Sequence, residues 1–192
     1  MKNLIIAAAL TAASFSIISC SNNGGTKTES QTATSETATT QTTEETKGNS
    51  SVKAIVDNYL QLKDALADDN GDRAAKSGNA LVESFKEFDK STLSESEKKS
   101  FEDVTEDAIE MAEHIGKNAD KIEHQREHFD MLSKDMYEIV KKLGAGQTLY
   151  QAHCPMYNNN KGASWLTASK EIKNPYMGKE MSTCGTIQEE LN

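Results

Sequence analysis

The sequence predicts an all-α domain: an antiparallel four-helix bundle followed by an irregular C-terminal Cys/Met-rich segment made of a short strand and a short helix. Three observations carry this. Apolar residues recur at three- and four-residue spacings in four blocks between residues 51 and 143. Turn signals rich in Gly, Asn and Asp separate the blocks, and amphipathic helices joined by short turns favour antiparallel neighbours. Beyond Gly144 the helical period stops and a stretch dense in Cys, Met, His and Asn begins.

The chain opens with Lys2, an apolar run from Leu4 to Ile18, then Ser19 and Cys20. This reads as a signal peptide over residues 1–19, because the run is too short to span a bilayer comfortably. Ile17, Ile18, Ser19 and Cys20 resemble the lipobox of bacterial lipoproteins. Cleavage before Cys20 would leave a diacylated cysteine, and two acyl chains suffice for stable anchoring. The expected location is therefore the bacterial cell envelope, lipid-anchored and facing the periplasm or the cell surface. Residues 21–50 hold ten threonines and no aromatic or large aliphatic residue. Such a segment buries too little apolar surface to offset its ordering entropy, so residues 20–50 read as a disordered tether with a reach of about 30 Å.

The pattern becomes helical near Ser50. Ile55, Tyr59, Leu62 and Leu66 form the first stripe, and Asp68, Asp69, Asn70 and Gly71 read as a solvated turn. Ala74, Leu81, Phe85 and Phe88 mark a second helix, weakened by Gly78. Ser94 with Glu97 is a capping box opening a third, striped by Phe101, Val104, Ala108, Met111 and Ile115. The fourth helix, Lys121–Leu143, has Ile122, Phe129, Leu132, Met136, Ile139, Val140 and Leu143 on one face. Gln125 lies within that stripe, so its amide is expected to be paired internally. His124 and His128 are four apart, a helix-face metal spacing, but among Glu123, Arg126 and Glu127 they read as part of a solvated charged face. His114 has no discriminating context.

In the C-terminal segment, Thr148–Ala152 reads as one strand and Asn158–Gly162 as a turn. Trp165 and Leu166 are expected to plug the seam against the helices. Asn174 as N-cap, Pro175 at the first position and Gly185 just past the end suggest a helix with Met177, Met181 and Cys184 on one face. Soft ions such as Cu(I) or Ag(I) prefer thiolate and thioether donors. Cys154, Met156, Met177, Met181 and Cys184, with His153 as a further donor, are thus the candidate metal ligands. The competing reading is a Cys154–Cys184 disulfide, natural in an oxidising compartment, with the methionines as packing.

HCPM at His153–Met156, NKGASWL at Asn160–Leu166, EIKNPYMG at Glu171–Gly178 and MSTCG at Met181–Gly185, with DKIEHQREHF at Asp120–Phe129 upstream, resemble the bacterial domain of unknown function 3347. The likeness runs over about Val52 to Leu191. It implies a secreted or lipid-anchored protein whose relatives also occur appended to periplasmic adaptors of copper and silver efflux systems. A metal-efflux adaptor or pump is therefore the partner the resemblance implies. Cys154, Pro155, Met156, Cys184 and Gly185 are also similar to short heavy-metal-binding modules of such systems, with Tyr157 where those modules carry a histidine.

Of the net charge of −9, the leader contributes one Lys and residues 21–50 two Lys against four Glu, which leaves −8 on residues 51–192. That charge repels phosphate backbones, so nucleic acid is not an expected partner. Catalysis is not expected either: the sequence holds no GxSxG elbow, phosphate-cradling glycine loop or HExxH. The expected function is soft-metal binding in copper handling or efflux. The alternative is a disulfide-stapled helical protein that docks on an envelope partner without metal.

Overall fold

Four long helices and a small sheet account for the residues that the computed structural model describes, 47–192. The expected signal peptide, Cys20 and most of the tether lie outside them. Helix α1 (Lys47–Ala67) starts within the expected tether and places Ile55, Tyr59, Leu62 and Leu66 fully in the interior. Asn70 caps helix α2 (Gly71–Lys86) by accepting the Arg73 amide at 2.9 Å. Gly78 does more than weaken α2. A Cβ there would meet the Ala112 carbonyl at 2.9 Å, so its hydrogen side chain is what lets α2 lie close on the third helix.

Helix α3 (Glu95–Lys117) opens with the expected capping box, Ser94 and Glu97 each serving the other's amide. It buries Phe101, Thr105, Ala108, Ala112 and Ile115. Helix α4 (Ile122–Leu143) buries Phe129, Leu132, Met136, Ile139 and Val140. Gln125 is buried with them, and its amide nitrogen donates to the carbonyls of Gly71 at 3.0 Å and Ile115 at 3.1 Å. Consecutive helices pack on one another, and α4 carries the sheet.

The C-terminal segment differs from the expected strand and helix, so the protein is mostly helical rather than all-α. Strands β1 (Leu149–Cys154), β2 (Ala163–Thr167) and β3 (Thr186–Leu191) form an antiparallel sheet in the order β2-β1-β3. Cys154 pairs with Ala163 and Leu149 with Leu191. The β1–β2 connection is a left-handed turn in which Asn158, Asn159 and Asn160 all have positive φ, a conformation asparagine tolerates better than most residues.

The expected helix from Asn174 to Gly185 reduces to one 3-10 turn, Gly178–Met181. Asn174 does cap: its side-chain oxygen accepts the amides of Tyr176 at 2.8 Å and Met177 at 3.0 Å. The helix fails to propagate because Gly178 takes φ +53° and packs against Asp69 and Arg126 with no room for a Cβ. Asn174 is fully buried and instead closes the loop, its side-chain nitrogen donating to the Cys184 carbonyl at 2.7 Å.

Two interior contacts fasten this segment to the helices. The first is aromatic: Phe129 stacks on Tyr59 at 5.2 Å, and Tyr176 lies 5.6 Å from Phe129 and 5.9 Å from Trp165. The Tyr59 hydroxyl meets Ser133 at 2.8 Å and accepts the Leu166 amide at 3.1 Å. Trp165 and Leu166 thus fill the seam as expected, each 1% exposed. The second contact is Arg126, whose side chain is only 6% exposed and not part of a solvated face. It donates to the carbonyls of Pro175 at 2.9 Å and Leu66 at 3.1 Å, to Asp69 at 2.5 Å and to Glu123 at 2.6 Å.

Asp69, in the turn read as solvated, also accepts the Lys179 amide at 3.0 Å. Burial raises its carboxyl pKa, but the Lys179 amide and the Arg126 guanidinium outweigh that and hold it below the usual range.

Replacing Arg126 with Ala removes the donor to the buried Pro175 carbonyl and takes the guanidinium from the Leu66 carbonyl and from Asp69, which keep the Asp69 and Lys179 amides respectively, and should destabilise the fold by about 2–4 kcal/mol in urea titration. A loss under about 0.5 kcal/mol, the size of an ordinary surface substitution, would show that the guanidinium is not a fastening.

Candidate functional site

The expected metal ligands all lie in the sulfur-bearing C-terminal segment. Cys154 ends β1, is fully buried, and is bonded to Cys184, with their Cα atoms 5.6 Å apart. The sheet brings Cys154 inward because side chains alternate along a strand, which turns His153 to the other face. There His153 meets the Ser164 hydroxyl at 3.1 Å. It lines a cleft of about 420 Å³ with Asp130, Ser133 and Trp165.

The helical face expected to align Met177, Met181 and Cys184 does not form. Met156 projects into solvent at 48% exposure. Met177 is half-buried against the core. Met181 ends the 3-10 turn, its carbonyl accepting the Cys184 amide at 3.0 Å. No helix forms here, so Met177, Met181 and Cys184 share no helical face. Disulfide sulfurs are not thiolates, and the thiolate is the form that ligates metals.

A different donor cluster lies where α3 ends and α4 begins. The two helices are joined by the short turn 118–121, so their facing ends stay close. His114 comes from the last turn of α3, and His124 and His128 come from successive turns of α4. One donor atom from each of the three lies within 4.8 Å of the others. Among the described residues this is the group of three or more His, Cys, Asp or Glu with metal-ligating proximity.

The His114 and His128 rings stack with centroids 4.5 Å apart, and His124 meets His128 edge-on at 4.4 Å. His128 Nε2 lies 3.1 Å from His124 Nε2, and its Nδ1 lies 3.3 Å from Met111 Sδ. His124 Nδ1 faces Glu127 at 3.3 Å. The i,i+4 spacing of His124 and His128 was visible in sequence. His114 was not, because its partners lie ten or more residues away across a helix turn.

The architecture is that of a mostly helical protein carrying a small disulfide-closed sheet. Residues 55–148 match the model of the family described as Protein of unknown function (DUF3347). The match runs from α1 to the residue before β1, so it covers the histidines and stops short of the cysteine segment. Nothing among curated proteins or solved structures matches the chain.

Burial, then the neighbouring His114 and His124, hold the His128 pKa below its ordinary value. The folded form therefore holds this proton less tightly than the unfolded chain does. Its contribution to stability is present above the ordinary pKa of about 6.5 and is lost as pH falls through the lower folded value. In a titration followed by NMR, the His128 ring should change charge below pH about 6.5. A midpoint at or above that value would mean the cluster does not disfavour its protonation.

Proposed function

We propose that this chain is a lipid-anchored protein of the bacterial envelope, tethered through Cys20, in which Cys154 and Cys184 form a structural staple. Its four helices, read as an antiparallel bundle, serve as a platform on which the stapled segment docks with an envelope partner. That partner is a metal-efflux adaptor or pump, as the resemblance of the C-terminal motifs implies. No catalytic chemistry is assigned to it. The observation that carries this reading is the bonded, fully buried Cys154 held against Cys184. Signal peptide, lipid anchor and envelope location rest on the Leu4–Cys20 sequence, and the acidic domain argues against a nucleic-acid partner.

A second reading keeps the soft-metal role. Reduction would free two thiols, with Met181 three residues before Cys184 and Met156 two after Cys154. Cys154, Met156, Met177, Met181, Cys184 and His153 would then compete for Cu(I) or Ag(I). This reading requires a reducing partner, and the folded, oxidised state does not.

The two separate by intact mass on the chain purified from bacterial membranes. The staple reading expects loss of residues 1–19, acyl chains on Cys20, and no further alkylation until reductant is added. Closing a loop with a sequence separation of 30 should stabilise by about 3–4 kcal/mol on the chain-entropy model, lost in the Cys154→Ser, Cys184→Ser variant. Native thiols that alkylate freely would overturn the staple and favour the metal reading.

A further inference from the structure

We propose that His114, His124 and His128 form a binding site for one transition-metal ion that prefers imidazole, Cu(II) before Zn(II). Three features of the cluster support this beyond proximity. First, the donors come from two rigid helices on either side of a short turn, so backbone positions are fixed before any ion arrives. Second, His124 has one nitrogen occupied: Nδ1 faces the Glu127 carboxylate, which leaves Nε2 directed at His128. A carboxylate behind a ligating imidazole is the usual means of fixing its ring and tautomer. Third, the rings crowd together at a half-exposed surface where each could have turned to water. His114 and His124 keep 44% and 41% side-chain exposure and still pack on His128.

Geometry sets what must move. Metal–nitrogen bonds of about 2.0–2.1 Å place ligand nitrogens roughly 3.3–3.5 Å apart around a tetrahedral ion such as Zn(II), and about 2.8–3.0 Å apart at adjacent positions of a tetragonal ion such as Cu(II). The His124–His128 pair is already at 3.1 Å, whereas the widest separation in the group is at most 4.8 Å. A side-chain rotation of about an ångström at the half-exposed imidazoles closes the difference, with no helix displaced. The fourth position is open to water or to a donor from a partner, and Met111 Sδ is a further donor beside the site. Imidazole donors suit several first-row ions, and among divalent ions affinity rises to Cu(II) and falls again at Zn(II), which sets the expected preference.

The proposal is independent of both readings of the cysteine pair, and the disulfide-intact chain tests it separately. Titrating the full, oxidised chain with Cu(II) and with Zn(II) by calorimetry should give one equivalent of each, Cu(II) tighter. Electron paramagnetic resonance of the Cu(II) form should show coupling to several nitrogens. The triple variant His114→Ala, His124→Ala, His128→Ala should lose this binding, while helical circular dichroism and the melting midpoint without metal stay close to the parent's. Glu127→Gln should weaken binding by about 10- to 100-fold. Absence of binding to the parent chain, a Cu(II) signal without nitrogen coupling, or unchanged binding in the folded triple variant would overturn the proposal.

Discussion

A guanidinium buried between α4, the end of α1 and the C-terminal loop is the most demanding contact in this protein. Removing a cation from water costs several kcal/mol, and only complete hydrogen bonding makes such a position tolerable. Arg126 meets that condition with two carbonyls and two carboxylates, drawn from segments up to 60 residues away in sequence. The acceptors must converge for the charge to be held, so the α1–α2 turn, α4 and the loop after Asn174 are mutually fixed. Gly178 completes the arrangement, since a side chain there would displace the Asp69 carboxylate that the guanidinium needs.

The disulfide and the aromatic cluster work on the same problem from the other side of the segment. β3 is a weak strand by composition: within TIQEEL only Leu191 is buried. It is held by pairing with β1, by Glu189 contacting Tyr137 and Lys141 on α4 at 2.7 Å each, and by the covalent bond just before it. This division also separates two kinds of donor chemistry. Sulfur is concentrated at the sheet, where the cysteines are consumed by each other. Imidazole is concentrated at the α3–α4 junction, inside the segment matched by the family model.

How much of this was legible in the sequence depends on where the information lay. Helix stripes such as Ile55, Tyr59, Leu62 and Leu66 and the Ser94 and Glu97 box are local, and they read correctly; Gln125 pairs internally as expected through its amide nitrogen, although one partner, Gly71, lies 54 residues away. Arg126 did not read correctly: it looks like surface charge in its own neighbourhood, and only long-range convergence buries it against Asp69, which stays in an exposed turn as expected. The Asn174 helix was misread for a related reason. Its capping residue and proline are genuine helix-start signals, but Gly178 takes a left-handed conformation to reach a turn more than 100 residues earlier. β3 was missed because its alternation carries glutamates where a half-buried strand usually carries apolar residues. Of the candidate donors, the cysteine pair was foreseen with its disulfide alternative, whereas the histidine group needed the α3–α4 turn to bring His114 beside its partners.

In the proposed arrangement the Cys154–Cys184 bond holds the sheet and its loop on a helical platform that stands without it. Hydrogen exchange followed by mass spectrometry, on the oxidised chain and after reduction, measures this by segment. Exchange across 149–191 should accelerate on the order of a hundredfold or more on reduction, matching the loss of about 3–4 kcal/mol, while α2, α3 and α4 keep their protection. Sheet amides that exchange equally slowly with the bond verified as broken, or helices that lose protection together with the sheet, would contradict it.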